Sequence, residues 1–354
     1  MSDQNKPDEK EPRHQRRPRY SGTHPKNYKE KYKELNPEKY ADDIAKIIQK
    51  GNTPAGMHIS ICVKEILEFL QIKPGQTGLD ATLGYGGHTL EMLKCLDSKG
   101  RLYALDVDPI ELPRTRARLE GLGYGPEILD IRQMNFSEID KVTSEPECLD
   151  FVLADLGVSS MQIDNPERGF TFKAEGPLDL RLNPNAGMSA AELLKEMTLF
   201  EIEDMLIENA DEPNAAVIAR AILSSIKKGI DITTTTQLRI IIKEALKYVR
   251  GIKDEDIKKA CQRTFQALRI NVNHEFEVLD EFLEKLPGVL AKGGRVAILT
   301  FHSGEDRRVK KSFQHFFREG IYSEIASEPI RPSAEECRIN SRARSAKLRW
   351  AIKG

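Results

Sequence analysis

The chain has 354 residues, with 54 Lys and Arg against 55 Asp and Glu and a formal net charge of −1. That length suggests about two domains and a large core, and the charge balance leaves any nucleic-acid partner to local basic patches. Five scattered cysteines (Cys62, Cys95, Cys148, Cys261, Cys337) form no C-x-x-C pair, so reduced thiols and no metal site are expected. There is no signal peptide or long apolar span, which points to a soluble cytoplasmic protein with no membrane partner.

Residues 1–35 are charged and nearly devoid of aliphatic side chains, so disorder is expected, with a basic arm on RNA phosphates as the alternative. Residues 36–56 read as a helix and linker. Asn36-Pro37-Glu38 supplies an N-cap, a first-turn proline and an acid, and Gly51 stops the helix. Ile59, Val63, Ile66, Leu67 and Leu70 recur at helical spacing over Met57 to Gln71, and His58 reads as a capping or surface histidine at its start.

The run L-D-A-T-L-G-Y-G-G-H-T (79–89) then predicts a strand ending in Asp80, a glycine turn and a helix opening at Leu90. Glycine admits φ > 0 and a close backbone approach, and the unpaired N–H groups of a helix start suit a carboxylate-bearing ligand. R-L-Y-A-L-D-V-D-P (101–109) gives a second strand ending in Asp106, where doubly wound folds grip a ribose. Thr89 stands where a dinucleotide fingerprint has its third glycine, so S-adenosylmethionine is the better candidate. A helix near Leu112–Leu119 and a strand over Ile128–Gln133 follow. Phe136 then lies at the sheet edge, either stacking on adenine or packing in the core. C-L-D-F-V-L-A-D-L-G-V-S-S (148–160) predicts a fourth strand ending in Asp155. Asp80, Asp106 and Asp155 are expected to converge with the Gly86–Gly87 bend around an adenosyl methyl donor.

Met161 to Leu182 is long and aperiodic, which marks a functional loop. Arg168 and Arg181 are candidates for phosphates. Phe170 and Phe172 either stack on a base or pin the loop. Helices follow: capping boxes at Ser189/Glu192 and Thr198/Glu201, then Ala215–Ile226, Thr236–Val249, Ile257–Val272 and Phe276–Leu286. A strand over Gly294–Ser303 leads to F-H-S-G-E-D-R (301–307), which brings His302, Glu305 and Asp306 to the edge, and a helix over Arg308–Arg318. In the last stretch Arg342, Arg344, Lys347 and Arg349 form a basic cluster, read as a phosphate contact or a solvated edge strand. The expected fold is α/β: a parallel sheet from residues 57–163 and 290–354, interrupted by a loop and all-helical insertion over 164–289 that would recognise substrate.

Several stretches together resemble one family, the bacterial small-subunit (16S) ribosomal RNA cytosine-N4 methyltransferases. They are D-A-T-L-G-Y-G-G-H-T, A-L-D-V-D-P, D-L-G-V-S-S, R-G-F-T-F with G-P-L-D-L-R, R-T-F-Q-A-L-R-I-N-V-N, F-H-S-G-E-D-R and S-R-A-R-S-A-K-L-R. The resemblance runs from Met57 to the C-terminus. It implies a class I (Rossmann-like) S-adenosylmethionine-dependent methyltransferase sheet with a helical insertion, and methyl transfer to a cytidine N4. Carried over, the cofactor positions are Gly86, Gly87, His88, Asp106, Phe136, Asp155 and Gln162. Departures fall elsewhere: Ile59 after His58, Met161 before Gln162, Gly304 for a leucine, Ser341 for a proline, and Lys259–Arg263 for H-P-A-T-R.

A cytosine amine is a poor nucleophile, so an acceptor for its N–H groups is needed. Asp155 is the first choice, with His302 and Asp306 behind it. A structured RNA target implies extruding the base, with Phe170 and Phe172 as candidates to hold it. Partners are 16S ribosomal RNA or the small ribosomal subunit, and the sequence allows a homodimer. Rival readings are a methylase with another target, a non-catalytic S-adenosylmethionine-binding assembly factor, or a dehydrogenase on the same fold.

Overall fold

The computed structural model describes residues 60–354; the charged tail, the helix expected over 36–50 and His58 lie outside the described residues. Its centre is a seven-stranded sheet in the order β3-β2-β1-β4-β5-β7-β6. The strands are β1 (Thr77–Asp80), β2 (Arg101–Asp106), β3 (Leu129–Gln133), β4 (Leu149–Asp155), β5 (Leu290–Thr300), β6 (Tyr322–Ile325) and β7 (Lys347–Lys353). β1 to β5 run parallel, and β7 is antiparallel to both of its neighbours. Register aligns the strand tips: Asp80 pairs with Ala104 and Leu153, Asp106 with Gln133, and Asp155 with Leu299.

Alternation along the central strands builds two cores. Phe151 and Leu153 of β4, with Ala297 and Leu299 of β5, face one side. There they meet α1 (Val63–Leu70), α2 (Gly87–Leu96) and α3 (Leu112–Gly121) through Ile66, Met92, Leu93 and Leu119. Val152, Ala154, Val296 and Ile298 face the other side. Each Val, Leu, Ile or Phe side chain buried there contributes about 1.5–3 kcal/mol.

Between β4 and β5 the chain leaves the sheet. It forms α4 (Ser160–Asp164), α5 (Ala190–Glu196), α6 (Leu199–Ala210), α7 (Ala215–Lys227), α8 (Thr235–Leu246) and α9 (Asp254–Asn273), whose apolar faces share a separate core. The expected boxes Ser189/Glu192 and Thr198/Glu201 cap α5 and α6 reciprocally. The next helix, α10 (Glu275–Val289), packs Leu279, Phe282, Leu283 and Leu286 on the sheet, alongside Val309 and Phe313 of α11 (Ser303–Arg318). The fold is thus the class I, Rossmann-like sheet implied by the sequence, opened after its fourth strand by helices.

Some elements differ from expectation. α1 starts at Val63 because Cys62 takes a left-handed φ of 56°. α11 starts at Ser303, not Arg308, because His302 serves as its N-cap in a box with Glu305. β6 and the short α12 (Ala334–Ile339) were not expected; each has too few residues to show a period.

Candidate active site

The carboxyl ends of β1, β2 and β4 open into a cavity of about 1240 Å³, which residues 170–173, 180–183 and 186–188 and part of α9 also line. Gly84 (φ 48°) and Gly86 (φ 66°) turn the chain after β1. The Gly84 N–H donates to Asp106 Oδ2 at 2.8 Å, and Thr115 Oγ1 donates to the Gly84 carbonyl at 2.7 Å. A Cβ on Gly86 would press on Leu119, Thr115 and Arg118 at 3.1–3.2 Å, so α3 sets how close this turn lies. Gly87 and His88 follow on the cavity wall, whereas Gly86, expected there too, does not line the cavity because it packs against α3.

Asp106 takes a second backbone N–H, from Asp108 at 2.8 Å, and lines the cavity. Burial pushes its carboxyl up to about 6, against the pull of those two N–H groups. Phe136 packs against the core, meeting Phe282 edge-on at 5.2 Å, and also lines the cavity. His88 places Nε2 3.0 Å from the Ile61 carbonyl and Nδ1 3.5 Å from Asp155 Oδ2. Asp155 Oδ1 is buried and has no hydrogen-bond partner. Desolvation pushes Asp155 up to about 6, with His88 pulling down and Asp80 and Glu305 pushing up. Gln162 lines the cavity through a capping box with Ser159, and its Nε2 donates to Asp108 Oδ2 at 2.7 Å.

Other candidates are held elsewhere. Asp80 does not line the cavity: Thr89 Oγ1 (2.6 Å) and the Thr82 N–H (3.1 Å) bind it beneath the turn. Arg168 does not meet phosphate. It is buried in an ion pair with Asp108 at 2.7 Å, and its Nη2 donates to the carbonyls of Arg181 and Leu182. Arg181 is gripped by both oxygens of Asp179, yet it still lines the cavity. Phe170 is buried beside the Arg168 guanidinium, and Phe172 leans on Phe265 at 5.3 Å, so both pin the loop while touching the cavity. Asp306 lies outside the cavity, bound by Arg349 Nε at 2.6 Å and Lys347 Nζ at 2.7 Å, which also removes two cations from the expected basic cluster. Of that cluster, Arg342 pairs with Asp164 at 2.8 Å on the cavity rim and Arg344 is exposed.

His302 reaches the cavity but is no free base. Its Nδ1 accepts the Glu305 N–H at 3.4 Å, and its Nε2 lies 3.1 Å from Glu305 Oε1, too far off line for a hydrogen bond. Glu305 is held below its usual range: burial opposes ionisation, but His302 and the Phe301 N–H outweigh it. Glu275, His302 and Glu305 bring ligand atoms within 4.8 Å of one another, yet Arg269 already occupies both Glu275 oxygens at 2.8 and 2.9 Å.

Asp108 was not singled out from the sequence. It is fully buried and takes four donors: Gln162, Arg168 and the N–H groups of Ile110 and Glu111. The only signal for it was the second acid in A-L-D-V-D-P.

The family model of the MraW methylase family matches residues 55–354. A protein named ribosomal RNA small subunit methyltransferase H 2, from Alkaliphilus metalliredigens (strain QYMF), is 73% identical over 347 residues, 98% of this chain and 99% of that one. Ribosomal RNA small subunit methyltransferase H 1 from Lachnoclostridium phytofermentans is 68% identical over 344 residues, 97% of this chain and 94% of that one. Ribosomal RNA small subunit methyltransferase H from Acidobacterium capsulatum is 38% identical over 301 residues, 84% of this chain and 98% of that one. The first two alignments reach into the N-terminal extension; the third is about as long as the family-matched span.

Proposed function

The chain belongs to the MraW methylase family, and from that premise we propose that it transfers a methyl group from S-adenosyl-L-methionine to the exocyclic N4 of a cytidine in small-subunit (16S) ribosomal RNA. The observation that carries this reading is the Asp155 carboxylate, partly exposed and lining the same cavity as Asp106, Gly84 and Gly87. A carboxylate at such a wall can accept an N–H from a ligand.

The lining fits an adenosyl donor. Asp106 would take the ribose hydroxyls, Phe136 the adenine face, and the first turn of α2 at Gly87 and His88, set by the Gly86 turn, the methionyl carboxylate. Asp155 Oδ2 beside His88 and Gln162 on α4 complete that side. When bound, the donor supplies an electrophilic methyl on a sulfonium. The protein's work is to hold the amine in line with it, which accounts for most of the acceleration. The Asp155 carboxylate accepts an N–H of the amine, localises its lone pair and takes the proton it sheds. With His302 engaged by Glu305 and Asp306 held by Arg349 and Lys347, Asp155 is the acceptor left facing the cavity.

Incubating the protein with small-subunit RNA and with small subunits from a deletion strain, then mapping nucleosides by mass spectrometry, tests the reading. N4-methylcytidine at one site is expected. A methylated nucleotide of another kind would replace the target; tight donor binding without product would make the protein an assembly factor.

A further inference from the structure

The Asp108–Arg168 pair joins the two walls of the cavity. On the β2 side, the Asp108 N–H donates to Asp106 Oδ1 at 2.8 Å while the Asp108 carboxylate receives Gln162 and Arg168 at 2.7 Å each. On the helical side, Arg168 Nη2 donates to the carbonyls of Arg181 (3.1 Å) and Leu182 (2.8 Å). The same strip is tied to the end of α9. The Leu182 N–H donates to Asn273 Oδ1 at 2.7 Å, and Asn273 Nδ2 donates to the Leu180 carbonyl at 2.8 Å. Leu180 itself sits at φ 65°, a conformation a branched residue keeps only when its surroundings impose it.

We propose that Asp108 and Arg168 are positioning residues of methyl transfer: through one hydrogen-bonded chain they set residues 180–183, on the acceptor wall, against Asp106, on the donor wall. This rests on the methyl-transfer reading above. A buried ion pair is a weak source of net stability, because desolvation offsets its attraction. Its geometric effect is specific: a guanidinium fork fixes a carboxylate and two carbonyls at once, which an ammonium cannot do. Misplacing reacting groups by about 1 Å costs on the order of 100-fold in rate.

The test compares Arg168→Lys, Arg168→Met and Asn273→Ala in the full chain. Readouts are single-turnover rate at saturating donor and RNA, KM for each, and S-adenosylhomocysteine affinity by calorimetry, all well below the melting temperature. Arg168→Lys keeps the charge opposite Asp108 but loses the carbonyl fork. It is expected to bind S-adenosylhomocysteine within about threefold of wild type and to lose about tenfold or more in single-turnover rate. Asn273→Ala, which frees the other end of the strip, is expected to do the same. Wild-type rates in both variants, or losses confined to donor affinity, would overturn the proposal, as would rescue by lysine of everything methionine loses. Should Arg168→Met not fold, the other two variants decide. Should wild type itself yield no methylated RNA, the functional reading falls, and hydrogen exchange then judges the strip. Residues 180–183 should lose protection in Arg168→Lys while α9 keeps it, and unchanged protection would overturn the linkage.

Discussion

His88 Nδ1 stands 3.5 Å from Asp155 Oδ2, while the other ring nitrogen lies 3.0 Å from the Ile61 carbonyl. A carbonyl only accepts, so Nε2 carries its proton, and the Nδ1 lone pair would face a carboxylate. The imidazole thus links the Ile61 carbonyl to the tip of β4, just where the donor is proposed to bind.

Donor affinity should weaken on acidification. Burial pushes both Asp106 and Asp155 up to about 6, so each is ionised above that pH and loses its charge as pH falls through it. Calorimetry with S-adenosylhomocysteine should give a Kd that is flat above pH 7 and rises below pH 6. A Kd unchanged between pH 5 and 8 would contradict the placement of the two carboxylates.

The same shifts carry a stability sign. A carboxyl whose folded value is raised above its unfolded value binds protons more tightly when folded, so its ionisation costs stability as pH rises from about 4 through about 6. Asp155→Asn should therefore stabilise the ligand-free protein at pH 7 by ~1–3 kcal/mol while abolishing turnover. Denaturant melts alongside methylation assays check both halves. A variant that is less stable, or still fully active, fails the expectation.

Asp306 should matter for folding and not for chemistry. Arg349 and Lys347 hold its carboxyl below the usual range despite burial, so its contribution is present at neutral pH and fades as pH falls through the depressed value. Removing it in Asp306→Ala strands the buried Arg349, at a cost of about 3–5 kcal/mol. The folded fraction at low temperature should keep wild-type kcat; a selective loss of kcat would restore Asp306 to the reacting centre.

At Gly86 the positive φ and the nearby Leu119, Thr115 and Arg118 both oppose a side chain. Gly86→Ala should lose about 1–3 kcal/mol of stability and weaken donor binding by displacing the turn. Gly123, also at positive φ but with nothing within 4 Å of a Cβ, supplies the control. Its alanine variant should be destabilised without any change in donor affinity.

Arg344 is the cation of the C-terminal cluster left exposed and outside any ion pair among the described residues. Arg344→Glu should raise KM for RNA and lower the salt dependence of RNA binding by about one counterion or more, with donor affinity unchanged. Equal salt slopes for the two proteins would remove it from the interface.

What the residues settled on their own was local or periodic. Apolar runs ending in Asp80, Asp106 and Asp155, the turn at Gly84–Gly87, and the capping boxes at Ser189 and Thr198 act within a few positions, so they are legible without a partner. The insertion after the fourth strand was legible too, because apolar runs give way to capping boxes and helically spaced apolar residues. Tertiary packing decided which charged groups face a ligand. Asp80, Arg168, Arg181 and Asp306 looked as available as Asp106 and Asp155, yet Thr89, Asp108, Asp179 and Arg349 claim them. Two of those partners lie 60 and 43 positions away in the chain. A buried charge must be paired, and no spacing rule names its partner; only the folded chain brings Asp108 to Arg168 and leaves Asp155 Oδ1 without a donor.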